Sequence, residues 1–533
     1  MTPQEWIAHD PDPVTAAELA ACAPDELAAR FARPLTFGTA GLRGPVRGGP
    51  DAMNLAVVLR VTWALAHVLT KHGHRGSLVI VGRDARHGSR EFAVATAEVL
   101  AAEGFSVVFL PDPVPTPVVA FAVRHIGAAA GVQITASHNP ASDNGYKVYG
   151  GDGVQITSPT DQEIHAAMAA APFADQIRRK PVEPSGTGLV EHYIRRAAQV
   201  RHGKGSVRIA LSPLHGVGGA PAVETLRCAG FADVHTVAAQ FTPDPDFPTV
   251  TVPNPEEPGV TDALLALAGD VGADIAIALD PDADRCAVGI PTPSGWRMLC
   301  GDETGWLLGD YILSRADTPA SSVVASTVVS SRMLAAIAAR YGARHVETLT
   351  GFKWLARADA DQPGATLIYA YEEAIGYCVD PAAVRDKDGI SAAVLVCDLA
   401  AALKAQGRSM LDMLDELARR HGVHEVAAVS RRLNSADEAA GLMGRLRTDP
   451  PKRLAGLPVT TVDLLRGPHR ADVLVFTGAT AGVSARVVVR PSGTEPKLKC
   501  YIEVRCTVTD ALRDARDRAG RLRDELVAAV RRW

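Results

Sequence analysis

Short apolar runs rich in Val, Ile and Leu alternate with segments of helical period along the first three quarters of the chain. SLVIVGRD (77–84) is followed by the helix-like SREFAVATAEVLAAEG (89–104), then SVVFL (106–110), PTPVVAFAVRHIGA (115–128) and AAGVQITAS (129–137). Strand and helix alternating in this way build βαβ units. The pattern restarts at VRIALSP (207–213), passes a helix near 218–230 and the strand DIAIALD (274–280), and restarts again at SSVVASTVVS (321–330). Three α/β units in series are therefore predicted. After a helical stretch over 388–422 the texture changes. EVAAVSRRL (425–433), VTTVDLL (459–465), ADVLVFTG (471–478), ARVVVRPSG (485–493) and KLKCYIEVRC (497–506) read as strands, with a helix between them and a long charged helix over 509–532. This tail is predicted to be a separate α+β domain.

At 533 residues the chain exceeds one hydrophobic core and should divide into three or four domains. Polar stretches at RHGKGS (201–206), SRADTPASS (314–322) and RRHGVHE (419–425) are the candidate linkers. The expected fold class is α/β, with α/β domains over 1–204, 205–318 and 319–424 and an α+β domain over 425–533. No internal repeat shows by identity, so the three-unit reading rests on periodicity.

Composition narrows the class. With 47% hydrophobic and 22% charged residues the chain reads as an ordinary globular enzyme. A net charge of −5 from 55 basic and 60 acidic residues gives no whole-chain attraction to nucleic acid or anionic lipid, so neither partner is expected and any anion must be held by local basic residues. The opening MTPQEWIAHDPDP lacks a basic region followed by an apolar stretch, and no run approaches the ~18 apolar residues of a membrane span. A cytoplasmic location is expected. The eight cysteines are scattered without a C-x-x-C pair and read as reduced core residues.

Four loops carry chemistry. DPDADR (280–285) follows the strand DIAIAL and sets Asp280, Asp282 and Asp284 at alternate positions, which in an extended segment turns all three carboxylates to one side. Three hard oxygen ligands there can hold Mg²⁺ and leave room for a phosphate oxygen. An EF-hand is excluded by Arg285 at its sixth position and Pro291 at its twelfth. TASHNP (135–140) follows the strand AAGVQI and should hold Ser137 out on a tight turn at the sheet's C-terminal edge. No G-x-S-x-G elbow occurs, and adjacent Ser137 and His138 make a poor nucleophile–base pair, so acyl chemistry fits badly. RPSGTEPKLK (490–499) offers arginine, hydroxyls, a glycine and lysines, the donors a phosphate dianion needs, though a solvated hairpin turn would read the same. YEEAIGY (371–377) places carboxylates at a strand end, where they can accept from sugar hydroxyls or simply begin a helix. LHGVGG (214–219) misses the dinucleotide fingerprint because Pro221 stands at its third glycine, and no P-loop occurs, so neither NAD nor ATP is implied.

These four loops in this order, together with FGTAGLRG (37–44), closely resemble the α-D-phosphohexomutase superfamily of phosphoglucomutases and phosphomannomutases over nearly the whole chain. NGYK (144–147), PNPE (253–256), GFK (351–353) and DKDGI (386–390) support the likeness. The resemblance implies three α/β domains and a C-terminal α+β domain around a central cleft. Ser137 would be the phosphoserine, and Asp280, Asp282 and Asp284 would hold Mg²⁺ with one of its phosphate oxygens. Arg43, His138, Lys147 and Arg285 would surround the reacting phosphate, with His138 or Lys147 moving the proton. The loop around Glu372 and Glu373 would grip the sugar, Arg490, Ser492, Gly493 and Thr494 would bind the distal phosphate, and Thr350, Gly351 and Lys499 would be further substrate-binding residues. The reaction implied is interconversion of hexose 1- and 6-phosphates of glucose or mannose through a sugar 1,6-bisphosphate, which also serves as activator. The EEAIGY and DKDGI segments are also similar to a branch that includes phosphopentomutases. A non-catalytic sugar-phosphate-binding relative is expected to lose Ser137 or an aspartate, and none is missing. One departure stands out: many members have Ser two residues after the loop glutamate, where this chain has Ala374 after Glu372.

Overall fold

A strand without polar interruption must be covered on both faces, and the first apolar runs meet this by entering a sheet packed with helices. In the computed structural model, residues 1–38, 41–433, 435–466, 470–491 and 497–533 are described. The first sheet holds β1 (Leu42–Pro45), β2 (Leu78–Arg83), β3 (Ser106–Phe109), β4 (Ala130–Ile134) and β5 (Asp143–Gly150). Their order is β1-β5-β4-β2-β3, with β2 parallel to β3 and β4, and β5 antiparallel to β4 and β1. Helices Ser89–Ala102 and Thr116–His125 pack on β2 and β4. Leu65, Val79, Val81, Phe92, Val132 and Ile134 are buried together there.

The second sheet repeats this plan with β6 (Ile209–Ser212), β7 (Val234–Thr236), β8 (Ile275–Leu279), β9 (Cys286–Thr292) and β10 (Gly295–Met298), in the order β10-β9-β8-β6-β7. Again the last parallel strand runs into a loop and returns antiparallel: β4 through 135–142 to β5, and β8 through 280–285 to β9. A third strand–loop–strand piece joins Thr366–Glu372 to Gly376–Cys378, with Glu372 opposite Gly376. Each loop holds one non-glycine residue in the left-handed region: Ser137 at φ 54, Ala283 at φ 53 and Ile375 at φ 51. The structural repeat that identity does not show is thus carried by backbone.

The chain forms two compact units, one of residues 1–304 and 368–405, the other of 305–367 and 406–533. In the first, helix Gly389–Ala405 is buried along most of its length. Its Asp398 accepts the N–H groups of His202 and Gly203, each at 2.9 Å, so the polar stretch 201–206 is fastened to the core rather than free. In the second unit, Ser322–Thr327 and Arg344–Thr348 pair in parallel, and six antiparallel strands run in the order Val423–Arg432, Lys497–Cys506, Val483–Pro491, Leu474–Thr480, Leu457–Asp463, Arg453–Leu454. Met443, Phe476, Val487, Val504 and Leu526 form its core on one face of that sheet. The opposite face, through Val473, Val475 and Val488, packs on Val328 and Val329. No single helix among the described residues is long and apolar enough to cross a membrane.

Candidate active site

The loop after β4 holds Ser137 by local bonds. Thr135 Oγ1 accepts the Ser137 N–H at 3.0 Å, and the Asn139 N–H closes a turn onto Ala136 O at 3.1 Å. Ser137 is 1% exposed and adopts a conformation that costs an L-residue about 1 kcal/mol or more, so the surroundings hold it there. Its Oγ donates to Asp280 Oδ2 at 2.8 Å and lies 3.2 Å from His138 Nδ1. Gly145 on β5 lies so close behind that a Cβ would stand 2.4 Å from Thr135 O.

The loop after β8 brings the carboxylates of Asp280, Asp282 and Asp284 together, with one oxygen of each within 4.8 Å of the others and all three residues fully buried. A turn achieves this, not an extended segment: Ala283 N–H donates to Asp280 O at 2.8 Å and Ala283 is left-handed. Gly216 buttresses the turn, since a Cβ there would lie 2.4 Å from Pro281 Cα, and Val217 N–H donates to Pro281 O at 2.8 Å. LHGVGG therefore supports this loop.

Cations offset the charge. Lys147 Nζ donates to Asp282 Oδ2 at 2.6 Å and Asp284 Oδ2 at 2.8 Å, and Thr116 Oγ1 donates to Asp282 Oδ2. Arg285 Nε lies 3.9 Å from Asp280 Oδ2 and 3.7 Å from Asp284 Oδ1; its Nη1 donates to Ala374 O at 2.9 Å and its Nη2 lies 3.6 Å from Glu372 Oε1. Burial, then the charges of Asp282 and Asp284, push the Asp280 carboxyl well above its usual range. Burial opposes the charge of Asp282 too, but Lys147 and Thr116 hold that carboxyl below the usual range. Burial, then Arg285 and Arg43, drive His138 well below the imidazole range, so its ring is neutral at pH 7. Asp282 Oδ1 and Asp284 Oδ1 are buried without a hydrogen-bond partner. Buried anionic oxygens without donors are costly, and three hard oxygens at this spacing fit a divalent cation such as Mg²⁺.

Arg43 on β1, Ser137, His138, Lys147, Asp280, Asp282, Asp284, Arg285 and Glu372 all lie in the first unit, as does Glu373 in the loop after Glu372. Thr350 and Gly351 lie in the second unit, between strand Arg344–Thr348 and helix Phe352–Leu355, with Gly351 at φ 111. Arg490 and Lys499 also lie there, directly opposite each other on paired strands. Ser492, Gly493 and Thr494 lie outside the described residues.

Sequence reasoning missed several contributors. Thr116 and Arg86 act across long separations on Asp282 and on the Ser137 loop, and no local signal marks them. Lys387 stands with Nζ 3.4 Å from Asp284 Oδ2 and 3.6 Å from Asp386 Oδ1. The rest of DKDGI fixes it: Asp386 Oδ2 accepts from Tyr149 at 2.9 Å and Gln155 at 2.8 Å, while Asp388, pushed up to about 6 by burial, caps the helix by accepting Ile390 and Ser391 N–H at 3.0 Å. Gly389 lets that helix start against the backbone of Arg285.

A serine facing a buried triad of aspartates at the ends of two like-built sheets places the chain in the phosphoglucomutase/phosphomannomutase family, to which it belongs. The family's alpha/beta/alpha domains I, II and III match residues 34–175, 190–292 and 300–421, and its C-terminal domain matches 478–519. A probable phosphomannomutase of Haemophilus influenzae is 40% identical over 462 residues, spanning 85% of this chain and 93% of its own. A phosphopentomutase of Mus musculus is 34% identical, spanning 94% of this chain and 89% of its own. Among solved structures, a putative phosphomannomutase from Thermus thermophilus matches with a TM-score of 0.68 at 25% identity, over 92% of this chain and 99% of that one.

Proposed function

We propose that the chain is a magnesium-dependent phosphohexomutase that interconverts the 1- and 6-phosphates of glucose or mannose through phosphorylated Ser137. The observation that carries this reading is the 2.8 Å bond from Ser137 Oγ to Asp280, inside a carboxylate triad with two unpartnered buried oxygens. Asp280, Asp282, Asp284 and an oxygen of phospho-Ser137 would hold Mg²⁺, which supplies charge neutralisation to the phosphoryl group in transit. Arg43 and Arg285 add fixed positive charge on the same group.

Phospho-Ser137 gives its phosphoryl group to the free hydroxyl of a sugar monophosphate. The sugar hydroxyl loses its proton and Ser137 Oγ gains one. In the return step Ser137 Oγ attacks the other phosphate of the bisphosphate, the bond from that phosphorus to the sugar oxygen breaks, the Oγ proton passes to the neutral His138 Nδ1 at 3.2 Å, and the leaving sugar oxygen takes up a proton in its place. Lys147 serves best as a holder of Asp282 and Asp284, because its ammonium is already bonded to both. Glu372 and Glu373 would accept from sugar hydroxyls, and Thr350, Gly351, Arg490, Ser492, Gly493, Thr494 and Lys499 would bind the rest of the substrate. A sugar 1,6-bisphosphate restores the phosphoserine when it is lost and so acts as activator. A reducing cytoplasm suits the eight unpaired cysteines.

A pentose 1-phosphate is the second candidate substrate, favoured by the likeness to the mouse phosphopentomutase. The test is kcat/KM for glucose, mannose and ribose 1-phosphates, with intact mass to count phosphate on Ser137. Both hexoses are expected to be converted, with ribose 1-phosphate a slower side substrate. Ala374→Ser, which restores one hydroxyl worth roughly 0.5–1.5 kcal/mol, is expected to sharpen the preference by up to about tenfold. A ribose preference above about a hundredfold replaces hexose by pentose as substrate, and a Ser137→Ala protein with normal turnover removes the phosphoserine.

A further inference from the structure

Arg86 lies in the turn between β2 and helix Ser89–Ala102, fifty-one residues before the serine it serves. Its guanidinium meets four backbone carbonyls of a single loop. Nη2 donates to Ser137 O at 2.7 Å and Asn139 O at 2.5 Å, and Nη1 donates to Pro140 O at 2.6 Å and Asp143 O at 3.1 Å. The arginine is itself held. Asp84 Oδ1 accepts its backbone N–H at 3.0 Å, Asp84 Oδ2 lies 3.4 Å from Nε, and the ring of Phe247, from the segment after β7, lies 5.0 Å from the guanidinium carbon. Arg86 is 4% exposed and Phe247 3%.

Ser137 sits at φ 54, where an L-residue does not rest by local preference. The carbonyls of residues 137, 139, 140 and 143 converge on one cation, so the path of the loop is set by where that cation stands. A planar guanidinium with five N–H donors can serve four acceptors at once, whereas an ammonium has three hydrogens in a different geometry. We propose that Arg86 is a positioning residue for phosphoryl transfer: it fixes the left-handed turn that aims Ser137 Oγ at Asp280, and Phe247 fixes Arg86. The proposal rests on Ser137 being the phosphoryl carrier. The guanidinium donates its hydrogen bonds to loop backbone, so its loss acts on the rate of transfer and not on sugar-phosphate binding. A displacement near 1 Å at the reacting atom lowers a rate by about a hundredfold.

The experiment loads Ser137 with phosphate from glucose 1,6-bisphosphate and follows single-turnover transfer to glucose 1-phosphate, with the Kd of glucose 1-phosphate measured separately. Arg86→Ala is expected to slow transfer about a hundredfold at unchanged Kd, and added guanidinium is expected to restore the rate where methylammonium does not. Transfer at the wild-type rate, or a loss of binding that accounts for the slower turnover, overturns the proposal. Should Arg86→Ala not fold, Phe247→Leu takes its place: slower transfer at unchanged Kd supports the positioning role and an unchanged rate refutes it. A wild type with no transferable phosphate on Ser137 overturns the function itself, and the positioning role with it.

Discussion

Gly389→Ala and Gly520→Ala make the same chemical change at two helical positions and should move the protein in opposite directions. Helix propensity favours alanine over glycine by up to about 1 kcal/mol, so propensity alone predicts stabilisation at both. At Gly520, inside helix Leu512–Val530, a Cβ meets nothing within 4 Å, and the gain should appear as a higher melting midpoint of the second unit. At Gly389 a Cβ would stand 2.3 Å from Arg285 O, 2.7 Å from Arg285 C and 2.9 Å from Ala283 O, all backbone atoms. Relief to an ordinary 3.4 Å contact moves the helix start or the aspartate loop by about 1 Å, because no side chain can turn aside. Overpacking of this kind costs about 1–3 kcal/mol, more than the propensity gain. The larger effect is on the site: shifting Asp284 and Arg285 by that distance should lower kcat/KM about a hundredfold and weaken Mg²⁺ activation. Melting curves, kcat/KM and a Mg²⁺ titration on both variants decide it. If Gly389→Ala melts higher than wild type and keeps its activity, the close packing of DKDGI on the aspartate loop does not control the metal site.

Asp282→Asn removes one anionic ligand and one charged partner of Lys147; Mg²⁺ affinity by direct titration should fall at least about tenfold, and unchanged affinity would take Asp282 out of the metal set. His345, bonded to Ser326 Oγ at 2.9 Å, is pushed down to about 4 by burial and then by Arg332. Its unfolded form titrates near 6.5, so the unfolded chain binds the extra proton first; stability is full above pH 6.5 and lost as pH falls from 6.5 to 4, by about 3 kcal/mol at most. Unfolding of the second unit followed against pH, in wild type and His345→Gln, should show that slope in wild type and a flatter one in the variant.

What could be read from sequence was local. DIAIAL ending in three aspartates and AAGVQI ending in TASHNP each carry strand and loop within ten residues or so, and both strands fall where expected. The aspartates converge for a different reason than alternation along an extended segment: a left-handed Ala283, which nothing in the residue type announces. RHGKGS read as a candidate linker, and nothing near it announces its fastening, since Asp398 lies nearly two hundred residues on. Arg86 and Thr116 escaped for the same reason, since each acts across more than fifty positions on a partner that only the sheets bring near. Five strands of the six-stranded sheet were legible, all but the two-residue Arg453–Leu454, but not the sheet as an anchored body. Val487 and Val488 are neighbours that face opposite sides, the first into the sheet's own core and the second onto Val328 and Val329. A cut near residue 425 would sever strand Val423–Arg432 and uncover that second face, so substitution of Arg490 tests the phosphate-binding role proposed for it more cleanly than truncation.

Ser137, Ala283 and Ile375 share a left-handed backbone within four residues of the end of the strand before them in three strand–loop–strand pieces, though the loops around them share no sequence. One architectural slot therefore carries three different sets of side chains: a serine, three aspartates and a pair of glutamates. The likeness among the three pieces lies in their dihedral angles and not in their letters. An alignment keyed to a left-handed residue within four positions of a strand end would bring the three segments together, to within one position of one another.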